Sequence, residues 1–183
     1  MNRNLKKERI SFFWRIASVH TIVYFFAGIF ALVFMNYKEQ FGAEIMSVIM
    51  RSIESPWVAA GSGLQIFRGF IIALVLFPFR AVFLFSKHGW IKLWALILGL
   101  SYISTIGPTF GSFEGYIFTN VPLQYHLLGI PEALIYTFLF TFLISLWYKK
   151  PSRVWNVISI ILVSLVILMS TLGLLSSLNI LKN

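Results

Sequence analysis

Arg68 and Gln65 stand three residues apart in Leu64-Gln65-Ile66-Phe67-Arg68-Gly69, within an apolar run. On a helix that spacing puts both side chains on one face. A guanidinium at membrane depth is costly unless it snorkels or is paired. Arg68 therefore reads as a structural ion pair, a snorkelling anchor, or the bidentate fork that holds an anionic, carboxylate-bearing ligand. The carboxylates placed to meet it are Glu132, Glu114 and Glu54. Glu132 directly follows Pro131, and a carboxylate is favoured at a helix N-terminus. Glu114 lies in Gly111-Ser112-Phe113-Glu114-Gly115-Tyr116, with glycine on both sides. His126, in Gln124-Tyr125-His126, is the one histidine near this group. It suits proton transfer or a hydrogen bond to a ligand. Arg68, Gln65, Glu132, Glu114, His126 and Tyr125 form the expected ligand-binding set, and each has a structural alternative as a cap, a solvated loop acid or an interface residue.

Other polar residues fall elsewhere. Arg80 lies twelve residues after Arg68, about 18 Å along a helix, where an anchor at the opposite headgroups is expected. His20 falls in the first apolar run and is expected near its inner third, separate from Arg68, hydrogen-bonded inside the bundle. Bis-histidine haem needs two histidines at one depth on facing helices. His20, His88 and His126 are expected at different depths, so no cofactor is assigned.

Several chemistries lack their residues. There is no cysteine, and all six acids are glutamate. Thiolate metal sites, disulfides and aspartate dyads are excluded. No His-Glu-x-x-His metal motif occurs, and Ala60-Gly61-Ser62-Gly63-Leu64 lacks the flanking glycines of a nucleophile elbow. No phosphate-binding loop of the Walker type is present. No catalytic residue and no metal site are assigned.

These residues need elements to hold them, and composition says which. Apolar residues make up 58% of the 183 and charged residues 11%, against roughly 45–50% and about 25% in soluble domains. A chain this short could not hide that much apolar surface in water. The expected fold is all-α: a polytopic transmembrane helical bundle of about five spans plus an outer-side amphipathic helix. A span needs roughly 20 apolar residues. The spans are expected at about 14–35, 64–85, 90–106, 131–148 and 154–175, in a single integral membrane domain. Residues 1–10 read as a basic cytoplasmic tail. Phe41, Ile45, Val48, Ile49 and Ile53 recur at helical spacing opposite Glu44, Ser47, Arg51 and Glu54, which predicts an amphipathic helix over 41–55 at the outer interface. The glycines and prolines of 107–130 predict a structured outer loop over the bundle. Residues 58–63 read as a flexible approach to the second span.

The net charge of +9 does not mark a nucleic-acid binder. Arg3, Lys6, Lys7, Arg9, Lys87, Lys149, Lys150 and Arg153 cluster at one set of span ends, while Lys38, Arg51 and Lys182 are the basic residues at the other. This asymmetry predicts a cytoplasmic N-terminus, in a bacterial inner membrane. The expected function is binding or transport of a small polar substrate, anionic or zwitterionic, through an outer-side pocket. Two alternatives stand beside it. One is a non-catalytic accessory or assembly subunit of a larger membrane complex. The other is an intramembrane enzyme acting on a lipid or lipid-linked substrate through a Glu/His cluster. The expected partners are membrane lipids, a small polar ligand, and a membrane protein partner or energising subunit; nucleic acid is not among them.

Overall fold

A computed structural model of the chain describes residues 3–180. Residues 1 and 2 of the expected basic tail, and Lys182, lie outside the described residues. The described fold is all helical. It comprises α1 (Arg3–Phe34), α2 (Tyr37–Gly42), α3 (Glu44–Ser47), α4 (Pro56–Leu76), α5 (Arg80–Leu84), α6 (Gly89–Leu98), α7 (Phe113–Phe118), α8 (Leu123–Leu128), α9 (Ile130–Lys149) and α10 (Arg153–Ser177).

Four helical stretches are long and apolar enough to cross a membrane: Leu5–Phe34, Pro56–Leu84, Leu123–Lys149 and Arg153–Ser177. Their outer faces stay apolar. On α10 alone Val157, Ile160, Ile161, Leu165, Leu168 and Leu172 are exposed. Soluble monomers rarely show contiguous apolar surface of that extent, and lipid is the solvent that removes its cost. The chain is a membrane-embedded all-α protein. The fifth apolar segment, Gly89–Ile103, is shorter. It runs as α6 and then loosens into a five-residue π turn over Gly99–Ile103. Its 15 residues reach about 22 Å as a helix, less than the roughly 30 Å of a hydrocarbon core.

α1 is the central helix and packs on α4, α9 and α10. Phe12, Ile16, Val19 and Val23 follow one another at helical steps along its buried face. They meet Ala73 and Leu76 of α4, Leu93 of α6, and Phe140, Ile144 and Trp147 of α9. One close approach between long helices uses a missing side chain. A Cβ on Gly69 would lie 2.7 Å from Cα of Ala17, so α4 and α1 touch backbone to backbone.

Three local outcomes differ from the sequence expectations. The first 10 residues are not a separate tail from Arg3 onward, because α1 begins there without a break. The 41–55 segment is not one amphipathic helix. Ala43 is extended at φ −62° and ψ 142°, which separates α2 from α3. Past α3 the chain turns instead of coiling, and the Ser52 hydroxyl accepts from the Glu54 backbone N–H at 3.3 Å, offering a local alternative to a helical bond. Residues 58–63 are not flexible. They are the first turns of α4, held against α10: the Ser170 hydroxyl donates to the Ala59 carbonyl at 2.6 Å and accepts from the Gly63 N–H at 3.1 Å. Small residues there serve close helix packing.

Pro78 sits in a 3-10 turn, Phe77–Phe79, between α4 and α5. It has no N–H to continue the helix, and Arg80 donates from a guanidinium nitrogen to the Phe77 carbonyl at 3.1 Å. The 107–130 segment carries α7, capped by the Ser112 hydroxyl accepting from Gly115 N–H at 3.0 Å, and α8.

Candidate functional site

The close α1–α4 approach places two pairs of polar residues side by side. α1 supplies His20 and Tyr24, one turn apart. α4 supplies Gln65 and Arg68. α9 closes the third side with Glu132 and Tyr136, again one turn apart. His20 is the midpoint of Leu5–Phe34, Tyr136 the midpoint of Leu123–Lys149, and Arg68 stands close to the midpoint of Pro56–Leu84. His20 and Arg68 thus lie midway along their apolar stretches, while Glu132 and Tyr136 fall in the first two turns of α9.

His20 is fully buried. Its Nε2 lies 3.1 Å from Gln65 Oε1, and its Nδ1 lies 2.6 Å from the Tyr136 hydroxyl. The Gln65 amide nitrogen donates back to the Gly61 carbonyl at 3.4 Å, which orients the amide with its oxygen toward the ring. His20 then carries its proton on Nε2, and the Tyr136 hydroxyl donates to Nδ1. A neutral imidazole completes the chain with every group used once. Tyr136 also stacks on Phe140 at 5.9 Å, which holds its ring in place.

Arg68 does not form the expected ion pair with Glu132, Glu114 or Glu54. Its guanidinium lies over the Tyr24 ring, 6.0 Å from the centroid, and its charge acts on His20, Tyr24 and Tyr136. Glu132 is engaged elsewhere: its carboxylate accepts from the Tyr37 hydroxyl at 2.5 Å. Its charge acts on Tyr24 as well and on Tyr102. Tyr24 therefore sits in the field of both a cation and an anion that do not close on each other. Glu54 lies on the turn before α4, where its backbone N–H meets Ser52.

Tyr37, just before the short helix α2, has its pKa raised by burial and by its hydrogen bond to Glu132. A group whose folded pKa is raised binds its proton more tightly in the folded state, so its contribution is complete below the unfolded value of 10.0 and declines only above it. The Tyr37–Glu132 contact is expected to leave stability flat from pH 7 to 9 and to weaken it above about pH 10. Thermal unfolding of wild type and Tyr37→Phe across that range checks this; a wild-type loss between pH 7 and 9 that is absent in Tyr37→Phe contradicts it.

His126, Glu114 and Tyr125 belong to a second group in the 107–130 segment. His126 is buried. Its Nδ1 accepts from the Gly111 N–H at 3.2 Å, and the rings of Phe110 and Tyr116 stand 6.2 and 6.1 Å from it. Its Nε2 and the Glu114 Oε2 are buried with no hydrogen-bond partner among the described residues. Tyr125 is half-buried in the first turn of α8. Gly111 holds a left-handed φ of +80°, and a Cβ there would lie 2.2 Å from the Tyr102 ring. The Tyr102 hydroxyl donates to the His126 carbonyl at 3.0 Å. Tyr102 thus joins the two groups, bonded to one and within the field of Glu132 in the other.

Of the six expected residues, Arg68, Gln65 and Glu132 share the three-helix cluster, and Glu114, Tyr125 and His126 lie in the loop group. The residues the sequence reading missed are Tyr24, Tyr136, Tyr37 and Tyr102, together with His20 as a neighbour of Gln65. Their signal was the helical step: Glu132 to Tyr136, His20 to Tyr24. Among the described residues no three histidine or acidic side chains converge on a metal position. Comparisons with protein-family models, with curated proteins and with solved structures find no match for this chain.

Proposed function

We propose that this membrane protein binds, and in doing so carries, a small zwitterionic or anionic solute at the three-helix polar cluster. The observation that supports this is the separation of Arg68 from Glu132. Arg68 is exposed on α4 near the middle of an apolar stretch, where an unpaired charge is expensive, and Glu132, in the first turn of α9, is near enough for its charge to act on the same tyrosine. Here each charge acts on Tyr24, Arg68 rests on a π face, and Glu132 takes a tyrosine hydroxyl. A solute with a carboxylate for Arg68 and an ammonium for Glu132 supplies both missing partners. The guanidinium fork suits a carboxylate bidentately. Gln65 and Tyr24 flank the fork and orient the bound group, while the loop residues Glu114, Tyr125 and His126 cover the end of the bundle where Glu132 lies. A cytoplasmic N-terminus puts that end on the outer side, and a bacterial inner membrane suits the short loops.

The test is native mass spectrometry of the protein released gently from its own membrane. A bound small molecule in wild type, lost in Arg68→Ala and kept in Arg153→Ala, is the expected result. Losing one charge-assisted contact weakens binding by about tenfold or more. An identical ligand mass in Arg68→Ala overturns the role of Arg68. A stoichiometric protein partner with no small ligand moves the assignment to an accessory subunit.

A further inference from the structure

A second site lies at the other end of the bundle. Where α1, the Pro78 turn, α5 and the last turn of α9 meet, they enclose a cavity of about 110 Å³. Its lining carries two cations, Arg15 and Arg80, and one anion, Glu8, so it is positive by one charge. Among the described residues no carboxylate forms an ion pair with Arg15, although Glu8 lines the same cavity. Its guanidinium stands 4.7 Å from the Tyr148 ring centroid and 5.4 Å from that of Trp147. Its Nε is buried without a hydrogen-bond partner among the described residues. Arg80 stacks over Phe77 at 4.3 Å and is fixed there by its bond to the Phe77 carbonyl. Tyr148 lines the cavity together with Arg15, Glu8 and Arg80. Ser11 adds a hydroxyl to the lining, the other walls, Phe12, Phe77, Leu84 and Phe85, are apolar, and Phe85 is well exposed.

We propose that this cavity binds the phosphate of an anionic glycerophospholipid headgroup. Arginine forks held in place by aromatic faces match phosphate oxygens in planar, bidentate geometry. The volume suffices: room for the centre of one water takes about 10–15 Å³ by the same measure, so the cavity admits several oxygen-sized groups, and a lipid phosphate diester presents two charged oxygens. The apolar walls and exposed Phe85 lead sideways to the lipid-facing surface, where acyl chains lie. A free phosphate ion would use the arginines and leave that apolar exit unused. The site is independent of the Arg68 cluster. It shares none of that cluster's residues and sits at the end of the bundle where Lys87, Lys149 and Lys150 are exposed, so anionic lipid is concentrated beside it.

The experiment uses the full chain in nanodiscs of phosphatidylcholine with one fifth phosphatidylglycerol, analysed by native mass spectrometry after detergent release. Wild type is expected to retain one phosphatidylglycerol, and Arg15→Gln and Arg80→Gln each to retain about tenfold less. Inorganic phosphate is titrated in parallel against delipidated protein. Stabilisation by millimolar phosphate alone, without lipid retention, keeps the phosphate site and overturns the lipid source. Equal retention of phosphatidylglycerol and phosphatidylcholine by wild type, the latter carrying the same phosphate beside a compensating ammonium, overturns the assignment to an anionic lipid, and this comparison needs no variant to fold. Unchanged retention in both arginine variants overturns it too. Arg153→Gln, outside the cavity, is expected to behave as wild type.

Discussion

Gly69→Ala is expected to be among the most destabilising single-methyl changes in this protein, by roughly 3 kcal/mol. The added Cβ would meet Cα of Ala17 at 2.7 Å and its carbonyl oxygen at 2.9 Å. Both atoms are backbone, so no side chain can rotate away, and α4 must move off α1. Between membrane helices the attraction is mainly dispersion and close packing, with no hydrophobic gain to compensate. A shift of a few tenths of an ångström along the largest helix contact therefore costs many small interactions at once. The same move also pulls Gln65 and Arg68 away from His20 and Tyr24, so ligand affinity should fall with stability. Gly28 and Gly61 provide the contrast on the same two helices. A Cβ at either meets nothing within 4 Å, and alanine is the better helix former by about 1 kcal/mol at most. Thermal unfolding in one detergent is the check. Gly69→Ala should lower the Tm by roughly 6–12 °C, with Gly28→Ala and Gly61→Ala unchanged or slightly raised. A Gly69→Ala protein that melts with wild type would mean that α1 and α4 are not in backbone contact.

The apolar blocks of the sequence carried the helical membrane fold, because length and hydropathy decide that question almost alone. The lateral arrangement was not legible in the same way. His20 was expected at a different depth from Arg68, and the reason it is not lies in two helix starts. α1 begins at Arg3 and α4 at Pro56, each about eight or more residues before its apolar block becomes unambiguous. Counting depth from the true helix start moves His20 and Arg68 both to mid-bundle. Arg68 was singled out because a charge in an apolar run is conspicuous. The tyrosines around it were not, because Tyr24 and Tyr136 read as part of an abundant aromatic content. Ser170 shows the same limit. In sequence it belongs to the plainest helix of the chain, and only the packing reveals it bridging α10 to two backbone groups of α4. The break between α2 and α3 was hidden for a different reason: the amphipathic period of 41–55 survives the turn at Ala43, although the helix does not.

Replacing His20 with leucine is expected to cost about 3 kcal/mol, and the size comes from what is left behind, not from the bonds lost. Interhelical hydrogen bonds in membrane proteins average only about 0.6 kcal/mol net. Two such bonds, to Gln65 and Tyr136, would account for little more than 1. Leucine at position 20, however, leaves the Gln65 carbonyl and the Tyr136 hydroxyl facing an apolar side chain in the bundle core. Each orphaned buried group costs about 1–3 kcal/mol. The orphan penalty, not the bond, sets the outcome. The two accounts separate cleanly in a multiple variant. If orphans dominate, His20→Leu with Gln65→Leu and Tyr136→Phe should recover most of the stability that His20→Leu alone loses, because all three polar groups leave together. If the bonds themselves dominate, the triple variant should be at least as unstable as the single one. Stability recovered in the triple variant would still leave a defect in ligand retention, because Gln65 and the ring that orients it are gone from beside Arg68. Chemical denaturation of wild type, His20→Leu and the triple variant, read alongside native mass spectrometry of each, distinguishes a chain that holds helices together from one that also positions the Arg68 fork.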